Sequence, residues 1–171
     1  SVTNEGTING NGIFEGEVKN KGTISDGTFQ RTSNVINEKE ITGGKFEGTV
    51  MNNTGGTISD GIFQETCSVT NNGTIKKGTF KNVCSVTNEG ANATIENGTF
   101  KDMCSVENTG TINNGTFTYK VENNGIITGG VFNGNATLIN VTGGHNITVA
   151  SGAKIEKVNG VSADWAPYVV T

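Results

Sequence analysis

Three cysteines offer the most distinctive side-chain chemistry in this chain: Cys67, Cys84 and Cys104, each two residues ahead of a valine (Val69, Val86, Val106). Thiols so placed can form disulfides, ligate a metal or pack as small apolar groups. Three cannot all pair within one chain, and separations of 17 and 20 residues lack the short paired spacing of a zinc site. If the three stack on successive turns of one structure, their Cβ atoms repeat at about 4.8 Å, slightly beyond the usual disulfide range. The expectation is three reduced, buried thiols that fill space.

Acid–base chemistry has fewer candidates. Asp26 and Asp60 occupy equivalent places in "SDGTFQ" and "SDGIFQ". Two turns apart they would be separated by about 10 Å, which suits an inverting carboxylate pair, but an Asp before a Gly is more economically a turn residue. His145, the one histidine, has no recognisable acid or nucleophile partner. Lys76, Lys77, Lys81 and Lys101 form at most a small basic patch on a chain of net charge -4, so nucleic acid is not an expected partner. The Gly-rich segments contain no phosphate-loop pattern. No catalytic residue, cofactor or metal site is assigned.

The elements that position these residues are set by repetition. Phe recurs at 14, 29, 46, 63, 80, 100, 117 and 132, Ile at 8, 24, 41, 58, 75, 95, 112 and 127, and Val at 2, 18, 35, 50, 69, 86, 106 and 121. The unit reads Val-x-Asn-x-Gly-Thr-Ile-x-x-Gly-Thr-Phe. Apolar positions five or six apart do not make a helical face. They fit three short strands and three corners per unit. The predicted fold is all-β: one triangular parallel β-solenoid of about eight to nine coils of roughly 17 residues, with right-handed winding favoured.

That fold accounts for the other repeated residues. Asn4, Asn20, Asn37, Asn52, Asn71, Asn88, Asn108 and Asn123 each follow the column Val by two, and Asn140 follows Leu138 in the same way. Residues two apart on a strand share a face, so these amides point inward and can satisfy one another up the stack. A Gly two residues before each Phe, at 12, 27, 44, 61, 78, 98, 115 and 130, supplies a corner that needs positive φ or a close backbone approach. Where Thr precedes the column Ile (7, 23, 57, 74, 94 and 111) or the column Phe (28, 79, 99 and 116), it points outward. With 32% hydrophobic residues the composition is thin for a compact core, yet abundant Thr, Val and Ile and modest charge argue against disorder.

The segments "VTNEGTI", "VKNKGTISDGTF" and "VTNNGTIKKGTF" resemble the parallel β-solenoid repeats of bacterial surface adhesins and fibrous stalk proteins, over Val2 to Asn140. The resemblance implies a secreted or cell-surface scaffold that displays a binding face, with carbohydrate or a host surface protein as partner, or end-to-end self-association. It transfers no functional residue. Departures from the repeat mark candidate ligand-contact loops: Asn53 and Thr54 in "MNNTGGT", and Glu89 and Asn92 in "TNEGANAT". Lengthening a surface loop costs little, so a tolerated insertion is the plain alternative. Two other functions are compatible with the architecture: a polysaccharide-active β-helix enzyme, and ice binding through the Thr columns. The latter is weakened by charges such as Lys76 and Glu96 beside the Thr rank.

Domain organisation follows the period. Residues 1–144 read as the repeat array, and because "SVTNEG" recurs at Ser85 to Gly90 the chain reads as beginning inside such an array. Residues 145–171, with Trp165, Pro167 and Tyr168, read as an irregular final coil that caps the stack or leads into a following domain. The first residues, "SVTNEG", do not read as a signal peptide, and no run of about 18 apolar residues occurs in the sequence.

Overall fold

A computed structural model describes residues 1–133, 136–139, 147–149, 154–156 and 169–170. Each repeat forms three short strands, and strands of successive repeats pair in parallel to build three sheets, here called A, B and C. Sheet A takes the Val-x-Asn segments, such as Ser68–Asn71, sheet B the Thr-Ile pairs, such as Thr74–Ile75, and sheet C the Thr-Phe pairs, such as Thr79–Phe80. The sheets hold ten, eight and ten strands among the described residues, and none of these residues is helical. The triangular parallel β-solenoid expected from the sequence is the observed architecture. Ile147–Val149 and Val169–Val170 extend sheet C, and Lys154–Glu156 extends sheet A. The expectations for Asn140, His145, Trp165 and Tyr168 fall outside the described residues.

Register follows residue type. Val pairs with Val, Ile with Ile, Phe with Phe and Asn with Asn from coil to coil, as in Val69↔Val86, Ile75↔Ile95, Phe80↔Phe100 and Asn71↔Asn88. A slip of one residue would turn every buried side chain outward, so the apolar columns lock the pairing. Val18 to Leu138 supply the core, where the column Val, Ile and Phe residues are almost wholly buried. The Phe rings stack with centroids 4.6–4.9 Å apart and nearly parallel planes. At that separation, wider than carbon contact distance, rings meet by sliding past one another, the offset geometry their quadrupoles favour.

The inward Asn side chains form a continuous ladder. Each Nδ2 donates to the Oδ1 of the next coil, for example Asn52 to Asn71 and Asn71 to Asn88, both at 2.7 Å. The second Nδ2 proton serves backbone carbonyls: Asn71 donates to Gly73 O at 3.1 Å and Thr94 O at 3.2 Å. Gly73 sits where a Cβ would strike the Gly56 carbonyl of the coil below, which explains the Gly two residues after the ladder Asn.

At the B-to-C corner, Gly61 and Gly78 have φ of 147° and 154°, a region closed to residues with a side chain. Gly27, Gly44, Gly98, Gly115 and Gly130 also have positive φ there. Gly12 departs from the expectation. In "NGNGIF" the positive φ falls on Gly10, at 78°, because a second glycine is available earlier in that corner.

Candidate functional site

Both departures from the repeat lie at the A-to-B corner, immediately after ladder asparagines. Asn52 and Gly56 bracket the first loop, where the Asn53 carbonyl accepts from Gly56 N at 2.8 Å, Asn53 is half-buried and Thr54 is exposed. The second loop leaves Asn88 and returns at Ala93, whose carbonyl accepts from Asn88 Nδ2 at 3.3 Å. Its Glu89 and Asn92 are exposed. One tight corner at Asn72-Gly73 separates the loops, so the four residues share an edge two coils apart.

Glu89 also borders a recess of about 270 Å³ on the outer face of sheet A, together with Thr87, Glu107, Thr109, Glu122 and Asn124. Glu107 and Glu122 stand on adjacent rungs in register. Glu122 pairs with Lys120 at 3.1 Å, and Gly90 N donates to Thr109 Oγ1 at 3.0 Å. Aligning the repeats shows Thr87, Glu107 and Glu122 at one position, a signal in the sequence that loop length alone does not reveal.

A larger groove, of about 530 Å³, crosses the B-to-C corner and is lined by Asp26, Thr28, Thr42, Lys45, Asp60 and Thr79 among others. Between the two Asp residues the corner position belongs to Gly43, which leaves the space open. Both carboxylates cap their own turns: Asp26 Oδ1 accepts from Gly27 N at 2.8 Å and Asp60 Oδ1 from Gly61 N at 2.9 Å. Lys77 Nζ lies 3.3 Å from the other oxygen of Asp60. That bond spends part of the small basic patch on an acid. The groove was not legible in the sequence, because its walls come from separate coils.

The outward Thr rows are interrupted. On sheet B, Thr23 and Thr57 flank Glu40, and Thr111 is followed by Ile126. On sheet C, Lys45 and Ile62 stand between Thr28 and Thr79. A flat surface of uniform hydroxyls is not formed.

The three thiols are free, buried and stacked at the C-to-A corner. Cys84 and Cys104 each point an S–H towards the carbonyl of the following serine, at 3.9 and 4.0 Å. Hydrogen bonding with Cys84, then burial, pushes the Cys67 and Cys104 thiols well up, whereas hydrogen bonds from Cys104 and Cys67 hold Cys84 below its neighbours against the effect of burial. The same corner has Ser33 in an equivalent place, with its buried Oγ lacking a hydrogen-bond partner. Among the described residues no group of three or more His, Cys, Asp or Glu is placed to hold a metal ion.

These features define a parallel β-solenoid with an interior amide ladder, an aromatic stack and a thiol column. No family model, curated protein or solved structure matches the chain.

Proposed function

We propose that the chain is a non-enzymatic structural and adhesive module, secreted or held at a cell surface, whose stiff solenoid presents a repetitive face to carbohydrate. The observation that carries this reading is the groove at the B-to-C corner, where Thr hydroxyls, two carboxylates and Lys45 are gathered across several coils. Such a mixture of donors and acceptors, spread along the stacking axis, suits the hydroxyls of an extended glycan. The carboxylates favour binding over hydrolysis, since each is already committed to a turn.

The test is a glycan and extracellular-matrix array probed with the intact chain. Binding to a glycan class is expected, with at least a tenfold loss on Lys45→Ala or Thr79→Val. Absence of binding to every glycan and matrix protein overturns the adhesive reading. Release of new reducing ends or unsaturated sugars from a polysaccharide panel would replace it with the enzymatic one.

A further inference from the structure

The thiol column has a property that its packing role does not use. Cys67, Cys84 and Cys104 precede Ser68, Ser85 and Ser105, which pair Ser68↔Ser85 and Ser85↔Ser105 in parallel register, so the three sulfurs stand on consecutive rungs. The rung spacing is directly visible in the same three coils: Phe63 and Phe80 are 4.6 Å apart at their centroids, and Phe80 and Phe100 are 4.7 Å apart.

A metal–thiolate bond is about 2.3 Å long, so a cation midway between two stacked sulfurs would lie at bonding distance from both when the sulfurs are about 4.6 Å apart. Side chains standing across the stacking axis also make the metal–sulfur–Cβ angle close to a right angle, which divalent sulfur prefers. Spacing that is too long for a disulfide is therefore correct for a linear two-coordinate ion. Linear coordination belongs to soft d10 cations, and thiolates select soft metals. Zinc needs four ligands, and among the described residues no group of three or more His, Cys, Asp or Glu is placed to supply them.

Charge narrows the choice. The thiol column is buried, and the charged side chains that act on it, Glu47 on Cys67 and Asp102 on Cys104, are carboxylates that would oppose an anionic complex. A buried site without a counter-charge favours a neutral complex, which a divalent ion with two thiolates provides.

We infer that adjacent thiols of this column form a digonal site for a soft divalent d10 cation of the mercury(II) type, with Cys84 as the obligatory member. Two S–H bonds break, two metal–sulfur bonds form, and two protons pass to solvent; no electron is transferred. Cys84 pairs with Cys67 or with Cys104, leaving one thiol free. Cys67 and Cys104 are separated by two rungs, too far to share an ion. The bound ion bridges successive coils and should stiffen the C-to-A corner.

The probe is mercury(II) chloride added to the intact, reduced chain, with a competing monothiol present only where affinities are compared. One equivalent should bind, with release of two protons, a rise in melting temperature and one titratable thiol remaining after denaturation. Each single Cys→Ser variant retains two thiols, and Ser33 shows that this column accepts serine. Cys67→Ser and Cys104→Ser should bind as the wild type does, while Cys84→Ser should lose at least tenfold in affinity with unchanged far-ultraviolet circular dichroism.

Equal binding by all three variants would show mere thiol capture and overturn the site. So would X-ray absorption of the wild-type complex showing three or more ligands, a measurement that stands even if Cys84→Ser fails to fold. Matching affinity for zinc(II) would also overturn it.

Discussion

Asn71 shows how much one side chain carries in this molecule. It accepts from Asn52 and donates to Asn88, both at 2.7 Å, while fully buried. Replacing it by Leu deletes two amide–amide bonds and leaves a donor of Asn52 and an acceptor of Asn88 without their partner. We expect Asn71→Leu to cost about 2–5 kcal/mol, since each buried group so stranded costs ~1–3 kcal/mol. Urea denaturation measures this directly. Ser33 is the opposite case. Its Oγ is buried with no partner, so Ser33→Ala should leave stability unchanged or raise it by about 1 kcal/mol. The thiols give a third prediction: buried at 0–1% exposure, they should react slowly with Ellman's reagent in the native chain. All three should titrate after denaturation without reductant; recovery of one would reveal a disulfide.

At the scale of the element, strands of two to four residues have little stability of their own and depend on the coils above and below. The corners decide whether those coils can stack. Gly78 holds φ at 154°, and an added Cβ would press on its own coil's Phe80 ring. Gly78→Ala should therefore destabilise by about 1–3 kcal/mol, read as a lowered urea midpoint with unchanged slope. The return from sheet C to sheet A tolerates side chains better. Asn82 and Asp102 have φ of 61° and 59° there, in the left-handed region such residues enter most easily, and Glu65 adopts 59°. Glu65 is held by Arg31 at 3.3 Å and by Asn82 Nδ2 at 3.1 Å. By contrast, removing Ala91, Asn92 and Ala93, which leaves Gly90 at the tight corner, should leave the fold intact and shift the melting temperature by only a few degrees, because loop length enters closure entropy logarithmically. If that deletion abolishes glycan binding while Lys45→Ala does not, the binding surface lies at the A-to-B corner.

The whole molecule is a one-dimensional stack in which each coil touches its neighbours. Stability should then behave as a sum of coil and interface contributions. Excising one complete repeat, residues 72–88, joins Asn71 to Glu89 in the same phase of the repeat. The shortened chain should fold and melt at a somewhat lower temperature, as seen by circular dichroism. Loss of all β signal would contradict the nearest-neighbour description. Truncation after Gly144 asks a different question. It removes strands that extend sheets A and C, so lower solubility or an earlier melt is expected, and an unchanged melt would remove the capping role assigned to residues 145–171.

The sequence by itself determined the architecture. Val, Ile, Phe and Asn recur at intervals that only a stacked coil can bury together, and like-on-like pairing then fixes register without further information. The inward amide column and the stacked cysteines were legible for the same reason, as were the turn roles of Asp26 and Asp60. Tertiary structure decided what lies between coils. The groove depends on Gly43 leaving room between two acids that stand two coils apart, and Arg31 meets Glu65 across the short corner at Glu47-Gly48. The orphaned Ser33 hydroxyl depends on Gly48 passing over it so closely that a Cβ on that glycine would strike the Ser33 carbonyl. These features are set by differences between successive repeats. Periodicity averages such differences away, and only stacking the coils brings them side by side.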